Sequence, residues 1–243
     1  MKFALVGDPV EHSASPRLHR EFLENAGIDG SYVALHVPRG SAVDAIARLR
    51  AENFTGCNVT YPLKEEAVAA CDTLTEEARS ASAVNTIYFG PHTIGANTDG
   101  IGARTAIESL LDEPIALARI GVLGYGATAR AILAELHGND AYAYVWGRDA
   151  ERVGATCARY EAAAWPASNP PEIVVSTLPP NADLPSEVIA GLQAADVVID
   201  ANYGPRATLE RTLGREVVSG IAMLEAQARS SFDFWLAHVT GID

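Results

Sequence analysis

The run Ile120-Gly121-Val122-Leu123, followed by Gly124-Tyr125-Gly126-Ala127-Thr128-Ala129, constrains the fold more than any other part of this chain. A short apolar run that ends on spaced glycines and opens into the helical pattern Ala129–Leu136 is a strand–turn–helix unit, and such units build parallel sheets. Gly124 permits the tight turn, and Gly126 lets backbone approach a pyrophosphate. The small residue Ala129 lets helix and strand pack closely, with the helix N-terminus facing the phosphates. The plain alternative is an ordinary strand-to-helix turn made of small residues. The strand before the loop and the helix after it favour the dinucleotide reading, with Gly124, Gly126, Ala127, Thr128 and Ala129 as cofactor-binding residues.

The rest of the chain repeats the same alternation, which predicts an α/β fold. Phe3–Val6 reads as a first strand ending at the turn Gly7-Asp8-Pro9. Ser15-Pro16 reads as a helix start, serine as N-cap and proline at the first helical position, with Leu18, Phe22 and Leu23 on its buried face. Tyr32–Val37 and Gly56–Val59 read as strands around the amphipathic helix Ala42–Leu49. Leu63–Cys71 reads as a helix, and Ala83–Phe89 and Thr93–Ala96 as two short strands. After Asp99 the composition shifts. Gly100–Leu111 is a connecting helix, broken at Asp112-Glu113-Pro114. Ala141–Trp146, Ile173–Ser176 and Val197–Asp200 are further strands, Arg152–Tyr160 a helix, and Ala222–His238 a long final helix. These segments predict two domains with a cleft between them: residues 1–100 together with a C-terminal helix returning over 220–243, and residues 101–219 as the dinucleotide-binding domain.

The choice of dinucleotide turns on the end of the strand after the glycine loop. An NAD site places Asp or Glu there to hold both ribose hydroxyls. Here the strand ends at Trp146-Gly147, followed by Arg148 and Arg152, whose guanidinium groups suit a 2′-phosphate. Asp149 has two readings. It is either the N-cap of a helix beginning at Ala150, or an acceptor for ribose hydroxyls that favours NAD. The cap reading is preferred, and NADP(H) is the expected cofactor.

Composition sets outer limits. The 243 residues are 48% hydrophobic and 20% charged, ordinary values for a globular protein. A net charge of -13 argues against nucleic acid as a partner, because phosphate contacts need clustered Lys and Arg. It also requires any anionic ligand to find locally placed cations. No apolar run approaches the ~20 residues of a membrane span, so no membrane association is expected. Three widely spaced cysteines, Cys57, Cys71 and Cys157, indicate neither a disulfide framework nor a metal site, and a reduced cytoplasmic setting fits them. Monomer and homodimer are both open.

Two further segments carry chemistry. Cys57-Asn58-Val59-Thr60-Tyr61-Pro62-Leu63-Lys64 and Asn97-Thr98-Asp99 place a lysine and an aspartate, with amides and hydroxyls, at the ends of successive strands. On their own, Lys64 reads as a solvated lysine at a helix start and Asp99 as a turn or cap residue. Ser15 serves as a cap with or without a ligand, Asn58 and Asn85 can satisfy loop backbone, and Tyr203 can be a packing aromatic. His12 and His19 are read as structural.

Taken together, the motifs resemble the shikimate dehydrogenase family. The resemblance rests on His12-Ser13-Ala14-Ser15-Pro16, Asn58-Val59-Thr60-Tyr61-Pro62-Leu63-Lys64, Ala83-Val84-Asn85-Thr86 and Gly95-Ala96-Asn97-Thr98-Asp99-Gly100. Asp200-Ala201-Asn202-Tyr203-Gly204-Pro205, with Thr208, and Met223-Leu224-Glu225-Ala226-Gln227-Ala228 complete the set. It implies an N-terminal substrate domain with a mixed sheet and a C-terminal Rossmann-type domain. The implied reaction is NADPH-dependent reduction of 3-dehydroshikimate to shikimate, in aromatic amino-acid biosynthesis. Ser13 and Ser15 would bind the substrate carboxylate. Thr60, Asn85, Asp99 and Gln227 would contact its hydroxyls or carbonyl, and Asn58 and Tyr203 would line the pocket. Lys64 and Asp99 would be the catalytic pair, and Thr177 and Gly220 would join the cofactor-binding set.

The chemistry agrees. Hydride arrival at a ketone carbon puts negative charge on oxygen, so a donor must stand beside that oxygen. An ammonium at Lys64 can stabilise and protonate it, and a carboxylate at Asp99 would hold that ammonium charged and in place. The chain departs from the family pattern at Tyr125, where a small residue is common, at Ala127 in place of a glycine, and at Gly147-Arg148-Asp149, where many members have Asn-Arg-Thr. Ser176-Thr177-Leu178-Pro179-Pro180 lacks the Gly-Met that often follows that strand, and Arg20 replaces a frequent asparagine. Rival readings are an NAD-using quinate/shikimate paralogue, another enzyme of this two-domain architecture, and a non-catalytic dinucleotide sensor. Paired serines at Ser13 and Ser15 favour shikimate, and a sensor would be free to lose Lys64 or Asp99.

Overall fold

In the computed structural model, which describes residues 1–166 and 170–241, the chain divides into two units. One is Met1–Gly102 with Glu225–Asp243, the other Ala103–Leu224. Residues 167–169 and 242–243, assigned above to the second and first domains, lie outside the described residues.

The first unit runs β1 (Lys2–Gly7), α1 (Ser15–Asn25), β2 (Ser31–His36), α2 (Ala42–Ala51), β3 (Gly56–Val59), a 3-10 turn over Glu66–Ala70, β4 (Thr73–Leu74), α3 (Glu76–Ala81), β5 (Thr86–Phe89) and β6 (Thr93–Ala96). Its sheet has the order β2-β1-β3-β5-β6-β4. β1 pairs in parallel with both β2 and β3, whereas β5 runs antiparallel to β3 and β6. The expected mixed sheet is therefore present. Ala4, Val6, Cys57, Val59 and Ile87 meet Ile46 and Leu49 of α2 in one buried cluster. Phe3, Leu5 and Leu23 meet Phe232 and Trp235 in another. The latter two residues come from the C-terminal helix.

Helix α4 (Asp99–Leu111) starts in the first unit and continues into the second. The second unit then runs β7 (Arg119–Leu123), α5 (Ala127–Gly138), β8 (Tyr142–Trp146), α6 (Ala150–Tyr160), β9 (Ala163–Ala164), β10 (Ile173–Ser176), α7 (Ser186–Ala194), β11 (Val197–Asp200), α8 (Leu209–Leu213) and β12 (Val218–Ser219). Helix α9 (Ile221–Thr240) begins there and ends in the first unit. All pairings are parallel and the order is β12-β11-β10-β7-β8-β9. Two βαβ halves diverge at β7 and β10, the doubly wound arrangement that binds dinucleotides at the reversal point. One buried cluster joins α4, α5 and the sheet; a second joins Leu123, Val174 and Val198 to α7 and α8.

Three expectations need correction. Ser15 is not the cap of α1 but its first helical residue. Ala14 flanks it without a side-chain cap bond, and the Ser13 hydroxyl accepts from the Ser15 backbone N–H at 3.2 Å. The helix expected over Leu63–Cys71 is only the 3-10 turn at Glu66–Ala70. The Lys64 carbonyl, which a regular helix would give to residue 68, accepts from Val84 N–H at 2.8 Å instead. Residues 83–85 are not part of a strand, because β5 starts at Thr86.

Two buried side chains set the stability of the first unit. Trp235 stacks on Phe3 at 4.3 Å and donates from Nε1 to the Ile87 carbonyl at 2.9 Å. A Cβ at Gly56 would collide with both that carbonyl and the indole nitrogen. Gly56→Ala is therefore expected to destabilise by about 1–3 kcal/mol in urea unfolding. His19 is 1% exposed and stacks on Tyr32 at 4.4 Å with rings 3° apart. Burial pushes its pKa down from 6.5 to about 3. The unfolded chain therefore binds this proton first, so His19's contribution is full above pH 6.5 and erodes as pH falls toward 3. Relative to His19→Phe, the wild type should lose on the order of 3 kcal/mol between pH 7 and pH 4 in chemical denaturation; parallel curves for the two proteins would refute this.

Candidate active site

The backbone brings Lys64 and Asp99 together from two directions. Lys64 follows β3 and is anchored through its carbonyl to Val84. Asp99 is the first residue of α4, where the N-terminal end of the helix favours a negative charge. Asn97 prepares that start: its side-chain oxygen accepts from Asp99 N–H at 3.0 Å, while its amide donates to the Ala83 carbonyl at 2.9 Å. The Lys64 ammonium then donates to Asp99 Oδ2 at 2.5 Å, with the lysine side chain 14% and the aspartate side chain 6% exposed. Such a pair gains its strength from geometry and from further bonds to the same groups.

Those further bonds converge on Asn85. Its amide donates to Asp99 Oδ1 at 2.8 Å, and lies within 3.0 Å of the Thr98 hydroxyl and 3.3 Å of Gln227 Oε1. Its oxygen accepts from Thr98 N–H and from the Thr86 hydroxyl, both at 2.9 Å. Asn85 thus fixes the second oxygen of the carboxylate whose first oxygen holds the ammonium. Gln227 reaches this point from α9.

Beneath it lies a second tier. Ser231 is one helical turn beyond Gln227 and fully buried. Its hydroxyl meets Thr86 at 2.7 Å and Thr98 at 3.1 Å, and accepts from the Asn58 amide at 3.1 Å. The Asn58 amide also lies within 3.1 Å of the Asn85 carbonyl and the Thr86 hydroxyl, and its oxygen accepts from the Tyr32 hydroxyl at 2.8 Å. Asn58, expected to line the pocket, has both ends of its amide engaged with buried protein groups. These bonds tie β3 to β5 and α9. Thr98 and Ser231 were not singled out by the sequence reading. Ser231's one signal is a small polar residue four positions after Gln227 on an otherwise apolar helix face.

Of the remaining expected residues, Ser13 and Ser15 stand at the start of α1, and Thr60 at the end of β3, where its N–H donates to Val6. Tyr203 belongs to the second unit, in the loop after β11. In that unit Gly124 takes φ +117°, a value few other residues adopt, and a Cβ there would meet the Thr177 hydroxyl. Thr177 in turn donates to the Leu123 carbonyl at 2.9 Å, placing it at the β7–β10 reversal point. A Cβ on Gly126 would meet nothing within 4 Å, so the loop leaves open space ahead of α5, as a pyrophosphate requires. Ala127, Thr128 and Ala129 form the first turn of that helix. Gly220 packs so tightly on the Ala201 backbone that a side chain would not fit. Arg148 and Arg152 are exposed after β8. Asp149 is the N-cap of α6: its carboxylate accepts from Glu151 N–H and Arg152 N–H, both at 3.1 Å. These residues fit a dinucleotide with a 2′-phosphate. No His, Cys, Asp and Glu cluster of metal-ligating geometry occurs among the described residues.

Comparison with known proteins agrees with this geometry. The family model described as the shikimate dehydrogenase substrate binding domain matches residues 5–87. A protein of Acidiphilium cryptum (strain JF-5) named shikimate dehydrogenase (NADP(+)) is 35% identical, the match covering 98% of this chain and 91% of that protein. One of the same name from Gluconobacter oxydans (strain 621H) is also 35% identical, over 95% of this chain and 88% of its own. Among solved structures, the shikimate 5-dehydrogenase of Thermus thermophilus in complex with NADP(H) and shikimate superposes with a TM-score of 0.84 at 29% identity, covering 97% of this chain and 93% of that one. With a relative this similar along nearly its whole length, the chain belongs to the shikimate dehydrogenase family.

Proposed function

We propose that the protein is a shikimate dehydrogenase, catalysing the reversible NADPH-dependent reduction of 3-dehydroshikimate to shikimate in aromatic amino-acid biosynthesis. The observation that carries this reading is the buried Lys64–Asp99 pair, fixed on its far side by Asn85, whose amide also reaches Gln227. Residues 1–100 with the C-terminal helix 220–243 form the substrate domain, and residues 101–219 the cofactor domain. The free cysteines suit a reducing, cytoplasmic setting.

Bound NADPH supplies the hydride. Lys64 stabilises the negative charge that develops on the carbonyl oxygen and delivers a proton to it; in the reverse direction it takes that proton back. Asp99 keeps the ammonium aimed, Asn85 holds the carboxylate, and Asn85 and Gln227 meet the substrate hydroxyls. Ser13 and Ser15 bind the substrate carboxylate and Thr60 a hydroxyl, and the family motif assigns Asn58 and Tyr203 to the substrate pocket as well. A polyol acid lacking one of these hydroxyls leaves a buried group unpaired, at a cost of about 1–3 kcal/mol. Gly124, Gly126, Ala127, Thr128 and Ala129 hold the pyrophosphate, with Thr177 and Gly220 shaping the adjoining loops. Arg148 and Arg152 hold the 2′-phosphate. The Asp149 cap, with Glu151 N–H and Arg152 N–H donating to its carboxylate, supports the capping reading over that of a ribose acceptor.

Two measurements test this. In steady-state oxidation of shikimate and quinate with NADP⁺ and NAD⁺, shikimate with NADP⁺ is expected to give the highest kcat/KM. Comparable efficiency with the two cofactors sinks the NADP(H) assignment, and comparable efficiency on quinate sinks the substrate assignment. Lys64→Ala should lower kcat by about 10²–10⁴-fold with a smaller change in KM, as for a group acting mainly in the transition state. Because that change leaves Asp99 buried without its partner, the double variant Lys64→Met, Asp99→Asn serves as a folded control. Wild-type turnover in Lys64→Ala removes Lys64 from the mechanism.

A further inference from the structure

The second residue of the glycine loop carries a side chain that the turn itself does not need. Tyr125 is half-buried and packs against the core of the second unit. Its ring lies directly against Gly147, the residue that follows β8, so closely that a Cβ there would collide with two ring carbons. Over the ring sits the guanidinium of Arg152, its central carbon 4.2 Å from the ring centroid. The backbone N–H of Arg152 is in turn fixed by the Asp149 carboxylate at 3.1 Å. An aromatic ring and a cap thus hold one exposed arginine just beyond the end of β8. In a doubly wound fold this is where the adenosine ribose of a dinucleotide lies.

We infer that Tyr125 is a positioning residue for cofactor choice: its ring fills the space that the missing side chain of Gly147 leaves, and on that platform it orders Arg152 for the 2′-phosphate of NADP(H). The inference rests on the NADP(H) reading above and deepens it. A guanidinium stacked by its face keeps its five N–H donors in the plane and at the edge, available to phosphate oxygens. Holding a long side chain in place before binding also lowers the ordering cost that binding otherwise carries. Tyr125 and Gly147 are both departures from the family pattern, and the geometry makes them a matched pair. A side chain at position 147 excludes the ring, and a small residue at 125 leaves Arg152 without its platform.

The test uses the full-length protein and calorimetric titration with 2′,5′-ADP and 5′-ADP, which differ only in the 2′-phosphate. Wild type should bind 2′,5′-ADP more tightly. Tyr125→Leu, which keeps apolar volume but has no π face, should weaken 2′,5′-ADP about threefold to tenfold and 5′-ADP less than twofold, while Tyr125→Phe stays near wild type. Gly147→Ala should reproduce the selective loss by displacing the ring. Equal losses for both nucleotides, no loss in Tyr125→Leu, or equal losses in the Leu and Phe variants would overturn the role of Tyr125. A wild type that does not distinguish the two nucleotides overturns the NADP(H) reading itself, and the inference with it.

Discussion

A carboxylate that is 4% exposed must be paid for in partners, and the partners of Asp99 organise much of the first unit. One oxygen takes the Lys64 ammonium and the other takes the Asn85 amide. Asn85 is then itself a buried amide whose oxygen needs donors, which Thr98 and Thr86 provide. Their hydroxyls need partners in turn, and Ser231 supplies them from α9. Each bond creates the requirement for the next, and the chain ends at Tyr32, whose hydroxyl donates to Asn58. A fully satisfied polar network of this kind rigidifies its surroundings, whereas one missing member leaves several groups unpaired. It also gives the C-terminal helix a reason to return: Gln227 and Ser231 are one turn apart and face the two tiers of the same network.

The second unit solves a different problem. In the proposed dinucleotide loop what matters is that atoms can approach the backbone. Gly124 adopts a positive φ while leaving no room for a side chain beside Thr177, whereas Gly126 opens onto free space. Asp149 shows how a cap fixes a local frame: its carboxylate accepts from two amides of α6 and complements the positive helix start.

Most of this fold was legible because the strands are apolar and short, bounded by Gly, Pro, Asn and Asp. Gly56–Val59, Ile173–Ser176 and Val197–Asp200 have the bounds their pattern implies. The glycine loop and the Asp149 cap are local chemistry, and local chemistry can be read from sequence. What could not be read depends on distant partners. The segment 63–71 has helical composition, but a carbonyl taken by Val84 from across the sheet diverts it. Helices α7 and α8 are short and their apolar residues matter only against Leu123, Val174 and Val198. Ser231 is one ordinary polar residue of α9 until the helix is laid against Thr86 and Thr98. Asn58 was expected at a ligand because of its motif; that it also ties β5 and α9 together emerges only when those elements are assembled. Lys64, Asp99, Asn85 and Gln227 were visible as candidates; that Thr98 and Ser231 join them in one network was not.

The charge balance separates how the two units can recognise anions. With a net charge of -13, neither unit attracts an anion through the overall field, so recognition has to be local. Lys64 is already matched by Asp99, so within the catalytic pair the net charge is near zero. The proposed function therefore leaves a substrate carboxylate to neutral donors such as Ser13 and Ser15. Arg148 and Arg152 are exposed, and under the proposed function their guanidinium groups are the local cations offered to a phosphate. Neutral hydrogen bonds discriminate by geometry and are little affected by salt, whereas exposed cation–phosphate contacts are screened over a Debye length of about 8 Å at physiological ionic strength. Under the proposed function, substrate identity thus rests on placement in the buried network, and cofactor identity on how firmly two surface arginines are held.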